Sequence, residues 1–453
     1  MAPLLQRFRE HVRHIGLFPE PGTALVAVSG GPDSVALLDL MHAVAAELGL
    51  SLVVAHADHQ IQADSRTVGQ SVRRLAERYW LPFELGELGL GAGATETAAR
   101  RARYAWLRTV RRRRGARYLV LGHHRDDQLE TILMRMLKGS APAGLAAMPP
   151  VGRGGLVRPL LPFCKADLAT HAMQRGLPTH ADPANADPRH LRSWVRTTLL
   201  PLLVARMGER VSDDVLRAGS AAALERRAWD RMLEHLPELR LRRVPHGFEV
   251  ARESLARYDN TLSVALLRAA ARRVGLVLGI RAARQLVGLA RRPSGRRVPL
   301  GRGGWLAEVA FERLRVIRAI RCAAEELVAT AERGSGLFGD FRVDWEPGAA
   351  PARLPRTDWT TWIAGADWEV RPPRPGDRLI PLGGVGRRPL RRLLMEARVP
   401  RSDRATYPVV ARGETILWVP GICRSADDLP QPGTPAVRVD VTKRDEPEAD
   451  RRA

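Results

Sequence analysis

Residues 29–34 read Ser29-Gly30-Gly31-Pro32-Asp33-Ser34, set between a short apolar run at 23–28 and a helix expected over 33–48 with Val35, Leu38, Leu40 and Met41 on its apolar face. A glycine turn between a strand and a helix gathers successive backbone N–H groups at a positive helix end, which makes an anion site. Gly30 and Gly31 let the backbone come close to a phosphate, and the Ser29 and Ser34 hydroxyls add donors. Asp33 is placed to hold Mg2+ on such phosphates, because a carboxylate among phosphates needs a cation between them. The plainer alternative is an ordinary strand-to-helix turn with Asp33 as its N-cap. No lysine stands in the loop, so a Walker-type phosphate loop is excluded.

Working outward, the pattern predicts a strand at 52–57, helices at 65–79 and 95–114, a strand at 118–122 and a helix at 126–137. Short apolar strands alternating with helices predict an α/β fold with a doubly wound parallel sheet covered on both faces. With an amphipathic N-terminal helix carrying Leu4, Leu5, Phe8, Val12 and Ile15, this first domain is expected to span 1–205. Helical periodicity from Arg192 to about Ala290 predicts a helical domain over 206–335. A Gly/Pro-rich linker is expected at 336–358, a small α+β C-terminal domain at 359–440, and a charged, disordered tail at 441–453.

The chain has 453 residues, 72 Lys+Arg against 49 Asp+Glu, and a formal charge of +23. Only Lys138, Lys165 and Lys443 are lysines, so the excess is almost all arginine, which genomic base composition alone favours. The charge attracts polyanions whichever cation carries it, and nucleic acid is the leading candidate; a solvated basic surface is the alternative. Cys164, Cys322 and Cys423 lie far apart, which excludes a disulfide framework and fits a reducing cytoplasm. No apolar run nears the roughly 18 residues of a membrane span, and the N-terminus is not a secretion signal, so a soluble protein is expected.

Four further clusters carry chemistry. His56-Ala57-Asp58-His59 closes the second strand. Gly122-His123-His124-Arg125-Asp126-Asp127-Gln128-Leu129-Glu130-Thr131 follows a later one. Arg158-Pro159-Leu160-Leu161 and Asp182-Pro183-Ala184-Asn185 come after. In open α/β sheets such strand ends meet where ligands bind. Asp127 and Glu130, three apart on one helix face, suit a ligand ammonium group, the alternative being a helix N-terminus that favours acids. The histidines at 56, 59, 123 and 124 lack a helical metal-binding spacing, and contact with nucleotide or RNA is expected for some of them, with one or two in the core.

The loop Ser29 to Ser34 resembles the PP-loop of the N-type ATP pyrophosphatases, which split ATP into AMP and pyrophosphate to activate an oxygen. The ordered set of motifs resembles the tRNA(Ile)-lysidine synthases over nearly the whole chain, most closely in the first 200 residues or so. The resemblance implies ATP and Mg2+ as cofactors, with ATP held by Ser29, Gly30, Gly31, Pro32, Asp33, Ser34 and His56 and the metal by Asp33. It implies catalytic roles for Asp33, Arg103 and Asp127, Arg103 neutralising the transferring phosphate in place of a lysine. Lysine is expected at Asp127, Glu130 and Arg196. Ser193 stands where that family has Asn, one hydrogen bond fewer beside Arg196. Arg100 is expected near the site on the same helix as Arg103, whereas the run Arg111 to Arg114 is expected to be a solvated basic face.

In the C-terminal domain, Arg387, Arg388, Arg391 and Arg392 take the place of that family's lysines as expected tRNA contacts. Trp359, Trp362, Trp368 and Trp418 are expected to be core more than base-stacking residues. The implied partners are a tRNA(Ile) with a CAU anticodon, L-lysine and ATP, with no membrane; a homodimer is left open. The implied reaction adenylates the C2 oxygen of the wobble cytidine, and the ε-amine of lysine then displaces AMP. Two rivals remain at this point. A PP-loop tRNA thiolase needs a persulfide cysteine or a cysteine-held cluster, and Cys164 is a lone candidate. A tRNA-binding protein with a dead loop is argued against by intact Asp33 and Ser34.

Overall fold

A computed structural model describes residues 3–58, 65–89, 91, 95–180, 191–301, 303–318, 326–329, 333–365 and 367–444. His59, Asp182-Pro183-Ala184-Asn185, Cys322 and the tail beyond 444 lie outside these described residues. The chain divides into two compact units, Met1–Arg227 and Ala228–Arg452. The first therefore runs past the expected boundary at 205. Its last helix, Arg210–Met232, brings Gly219 so near Ile132 that a Cβ there would lie 2.4 Å from the isoleucine Cδ1.

In chain order the first unit contains α1 Leu4–Ile15, β1 Gly22–Ala27, α2 Pro32–Ala45, β2 Leu50–Asp58, α3 Ser65–Arg78, β3 Phe83–Glu87, α4 Glu96–Arg113, β4 Tyr118–Val120, α5 Arg125–Leu137, α6 Pro142–Leu145, β5 Val151–Gly152, β6 Leu156–Val157 and α7 Lys165–Gln174. The sheet order is β3-β2-β1-β4-β6-β5, parallel throughout except for β5 at the edge. Ala24, Leu25 and Val26 of β1 are 0% exposed, as a strand covered on both faces requires. One core, with Phe8, Val12, Leu37, Leu40 and Phe163, packs α1, α2 and α7 together; a second, with Leu25, Val53, Leu107 and Val110, seats α4. From β1 the chain builds outward through β2 and β3, and α4 then carries it back to β4 on the other side of β1. The strand order reverses between β1 and β4, and the crevice above that point is where such sheets bind ligands.

The second unit holds the expected helices Arg252–Arg257, Asn260–Arg273 and Ile280–Ala290, and adds a five-stranded antiparallel sheet beneath them. Its strands are Arg242–Val244, Gly247–Ala251, Arg297–Pro299, Trp305–Ala310 and Arg313–Arg318. Arginine obscures these strands in the sequence, yet Leu314 and Val316 are both 0% exposed.

The expected linker at 336–358 is corrected by the structure. Gly334–Phe338 and Phe341–Ala349 pair as a hairpin, and the second strand pairs in turn with Pro435–Lys443. Glycines of this hairpin make room for their neighbours: a Cβ on Gly334 would lie 2.4 Å from the Trp345 ring, and one on Gly336 2.5 Å from Leu327. The strand to Lys443 also takes in the first residues of the expected tail. Trp368 and Trp418 are core, 2% and 1% exposed, and Trp345 meets Trp368 edge-on at 5.5 Å, whereas Trp359 is 42% exposed.

Candidate active site

The loop after β1 folds around its own hydroxyls. The Ser29 N–H donates to Ser34 Oγ at 3.0 Å, the two serine hydroxyls lie 3.1 Å apart, and Ser34 Oγ donates to the Gly31 carbonyl at 2.9 Å. Gly30 has φ +89°, a left-handed conformation, and a Cβ there would stand 2.4 Å from Val68 of α3. Gly31 is the N-cap and Pro32 opens α2, so Asp33 lies in the first turn and is not the cap. The first-turn amides of α2 thus face the crevice. Gly122, after β4, lies beside the start of α2: a Cβ there would stand 3.4 Å from Ser34 Cα, an ordinary contact.

His56 is 4% exposed, and its Nδ1 lies 2.8 Å from the Val28 carbonyl. Burial pushes its pKa down, against the pull of that carbonyl and of Asp58. It therefore braces the backbone leading into the loop, with Nδ1 as the donor.

His124, 2% exposed, is the hub that sequence reasoning did not single out. It caps α5, and its ring nitrogens lie 3.5 Å from Asp33 Oδ2, 3.4 Å from Asp126 Oδ2 and 3.5 Å from Asp127 Oδ2. Burial works against its charge, but Asp126, Asp33 and Asp127 overrule it and push the pKa up to about 9. The adjacent His123 goes the other way. Burial, with Arg158, Arg100 and Arg192 nearby, lowers its pKa despite Asp127, and its Nδ1 is buried without a partner. The signal for His124 was present in its position: Asp127, three residues on, is where a capping box puts its acid.

Asp127 and Glu130 do converge, as expected, and the structure brings Arg196 to them. Asp127 Oδ2 accepts the His124 N–H at 3.0 Å, the reciprocal arm of a capping box. Its Oδ1 accepts from Arg192 Nη2 at 2.6 Å. Arg192 Nε donates to Glu130 Oε2 at 2.7 Å, and Arg196 Nε donates to Glu130 Oε1 at 2.5 Å. Glu130 is 1% exposed and each arginine 28%. Burial raises the Asp127 pKa, but His124, Arg192 and His123 together bring it below the usual carboxylate range.

Both arginines come from one helical segment, Leu191–Trp194 followed by a π-helical turn Val195–Leu199 and by Leu200–Met207. Wide turns of this kind occur frequently at functional sites. Ser193 is buried there, and its carbonyl accepts the Thr197 hydroxyl at 2.9 Å.

Arg103 lies on α4, its guanidinium 5.8 Å from the Tyr104 ring, with Arg100 over the same ring at 5.1 Å. Buried Arg158, whose Nη1 donates to the Pro149 carbonyl at 2.9 Å, has its pKa lowered by burial against the pull of Tyr104. The run Arg111 to Arg114 lies at the end of α4 that leads into the start of β4, the opposite edge of the sheet, and Glu84 pairs Arg113 and Arg114 there. Arg387, Arg388, Arg391 and Arg392 belong to the second unit, around the helix Leu390–Glu396, with Glu396 pairing Arg388 at 2.7 Å and Arg392 at 3.1 Å.

The donor set fits a hard divalent cation on a polyphosphate. Asp33 Oδ1 is buried with no partner, an oxygen aimed at nothing the protein supplies. Among the described residues no three of His, Cys, Asp and Glu gather as metal ligands, so phosphate and water would complete the shell. Among the described residues no helix is long and apolar enough to cross a membrane.

Comparison with known proteins adds identity to this geometry. A PP-loop domain model matches residues 4–203, and a TilS substrate C-terminal domain model matches 368–441. The tRNA(Ile)-lysidine synthase of Symbiobacterium thermophilum is 34% identical, covering 98% of this chain and 99% of that protein. The tRNA(Ile)-lysidine synthase of Geobacter sulfurreducens is 33% identical over 94% of this chain and 93% of its own length. Among solved structures, a U34-tRNA thiolase NcsA from Methanococcus maripaludis superposes with TM-score 0.41 at 15% identity, covering 48% of this chain and 79% of that one.

Proposed function

The chain belongs to the tRNA(Ile)-lysidine synthase family, and from that premise we propose how its residues divide the work. It is an ATP-using PP-loop ligase that forms a C–N bond, making lysidine in tRNA(Ile). The proposal concerns the steps and the residues.

In the first step the C2 oxygen of the wobble cytidine in the CAU anticodon attacks the α-phosphorus of ATP. An O–P bond forms and the bond to pyrophosphate breaks. Ser29, Gly30, Gly31, Pro32, Asp33 and Ser34 cradle the polyphosphate, and His56 keeps the backbone ahead of the loop in place. Mg2+ held by Asp33 would supply neutralisation of phosphate charge there. Arg103 faces the negative charge that develops on the transferring phosphoryl group.

In the second step the lysine ε-ammonium gives up a proton to Glu130 or to water, its nitrogen bonds to C2, and AMP leaves with the oxygen. Adenylation is what makes that oxygen able to leave. Asp127 and Glu130 receive lysine, with Arg196 beside them. His124 and Arg192 keep Asp127 ionised, which suits it to hold an ammonium more than to take its proton. The product pairs with A instead of G, so the codon read changes from AUG to AUA and the amino acid from Met to Ile. The C-terminal arginines Arg387, Arg388, Arg391 and Arg392 contribute sequence-independent phosphate contacts to tRNA. Domain 206–335 carries further backbone contacts. We place the enzyme in the cytoplasm and propose a homodimer as a question for light scattering.

The observation that carries this reading is the placement of a phosphate loop, Asp33 with its unpartnered oxygen, and an acid pair around one crevice, bridged by His124. The test incubates the protein with ATP, labelled lysine and either tRNA(Ile) or tRNA(Met) transcripts, both bearing CAU. Lysine incorporation into tRNA(Ile) alone, with AMP and pyrophosphate released, is expected. Incorporation into both, or pyrophosphate release with no lysine bound, overturns the assignment.

A further inference from the structure

The acids expected to receive lysine are already covered by the protein's own cations. Two carboxylates, Asp127 and Glu130, face two guanidiniums, Arg192 and Arg196, with His124 also 3.5 Å from Asp127, so neither acid carries an unmatched charge. The arginines lie on the open side, 28% exposed each, and the acids beneath them at 13% and 1%. Free lysine at neutral pH brings two ammonium groups and one carboxylate. Its side-chain ammonium reaches an acid only by displacing a guanidinium, and its carboxylate then needs a cation.

We propose that Arg192 is the residue exchanged: its guanidinium gives up Asp127 to the lysine ε-ammonium and takes the α-carboxylate of the same lysine. Arg192 is thereby a specificity-determining residue that makes the site select an amine carrying a carboxylate. This rests on the reading of the crevice as a lysine site.

Three features point to Arg192 and not to Arg196. Asp127 is the more exposed of the two acids, and Arg192 is its arginine partner at 2.6 Å, whereas Arg196 stands 3.9 Å away. Arg196 bonds Glu130, the acid at 1% exposure, through Nε at 2.5 Å, and moving that cation away would leave the buried charge to Arg192 Nε alone. Arg192 also has a second bond, Nε to Glu130 Oε2 at 2.7 Å, about which the rest of the fork turns without losing all contact. The planar fork of a guanidinium fits a carboxylate as well as it fits the acid it leaves.

The test compares L-lysine with cadaverine, the same diamine without the carboxylate, as substrates for tRNA(Ile) modification by the full-length enzyme. The wild type is expected to prefer lysine strongly. In Arg192→Gln, kcat/KM for lysine is expected to fall roughly tenfold to a hundredfold, the usual worth of a charged hydrogen bond, mostly through KM. Cadaverine is expected to stay within about twofold or to improve. In Arg196→Gln both substrates are expected to fall together.

Pyrophosphate release dependent on tRNA but not on lysine serves as the control for folding and the first step. If Arg192→Gln loses it, Arg192→Lys, which keeps the charge without the fork, carries the same comparison. Equal losses for both amines in the Arg192 variant, or a loss selective for lysine in Arg196→Gln instead, overturn the proposal. A wild type that incorporates neither amine contradicts the lysine-site reading itself, a separate result.

Discussion

At the mouth of the parallel sheet, Arg192 and Arg196 lie over Asp127 and Glu130 with 28% of each arginine side chain exposed. In the C-terminal half of the chain, Arg371 is 0% exposed, with its two terminal nitrogens on Asp377 at 3.0 Å each. Both are arginine forks on buried or nearly buried acids. The first shares its acids among several cations and keeps the arginines at the surface, so partners exchange at low cost. The second is sealed: Asp377 takes both terminal nitrogens of one arginine, whose Nε lies 3.7 Å from Glu369, and also accepts the Arg374 N–H at 2.8 Å. Solvent access and surplus cations separate a site that reacts from one that only holds shape.

The sharpest contrast comes from opposite substitutions. Asp33→Asn is expected to cut tRNA-dependent pyrophosphate release about a thousandfold by weakening cation binding on the polyphosphate, while the unfolding midpoint stays put; a shifted midpoint with retained turnover erases the contrast. Arg371→Met leaves Asp377 buried and unpaired and should cost about 3–5 kcal/mol. Urea denaturation followed by the tryptophans of the second unit reads it, and replacing Asp377 by Leu as well should restore most of the loss.

Gly30→Ala probes the backbone between these extremes. With φ at +89° and Val68 in the way, strain of about 1–3 kcal/mol is expected to appear as a raised ATP KM with little change for lysine. The reverse split would locate the loop's role elsewhere.

Asp39 tests whether a buried ion cluster in the catalytic unit behaves like Arg371. It is 5% exposed and accepts hydrogen bonds from Tyr79, His171 and Arg175 at 2.5, 2.8 and 3.3 Å. Burial raises its pKa, but those three partners together hold it well below the ordinary 3.8. A depressed folded pKa means stability that is fully present above the unfolded value and lost as pH falls through the folded one. Asp39→Asn should therefore cost about 1–3 kcal/mol near neutral pH. The gap to wild type should shrink as pH drops below about 4, measured by denaturation across that range. A constant gap contradicts it. Smallest of all, Arg112→Ala, at the far edge of the sheet, should change lysine incorporation by less than twofold.

How much of this was legible depended on distance along the chain. The glycine turn and the pair Asp127 and Glu130 are local, so spacing alone placed them. The arginines on those acids lie 62 to 66 residues away from them, and only Arg196 was marked. Arg192, equally engaged, stands four residues before it, but nothing in a linear reading says which side chain turns inward across a π turn. The hairpin at Gly334–Phe338 and Phe341–Ala349 was mistaken for a linker because its glycines answer to Leu327 and Trp345 across the sheet, a pairing that composition does not encode. Charge misled in the middle sheet. Residues 313–318 interleave arginine with Leu314, Val316 and Ile317, and the strand is buried from Leu314 to Ile317 with Arg315 inside it, which a reading of arginine as surface hides.

The strand Pro435–Lys443 lies between Phe341–Ala349 and Thr360–Ile363, paired with both. It is the last strand of its sheet to leave the ribosome and the one at its centre. Until it emerges, two strands made some 70 to 100 residues earlier have open edges and no partner between them, the kind of exposed backbone that chaperones and proteases find. The catalytic sheet, complete by Val157, has no such debt. A message cut short before codon 435 would thus yield a finished nucleotide-binding fold joined to an unclosed one, and the cell's degradation machinery would meet the unclosed part first.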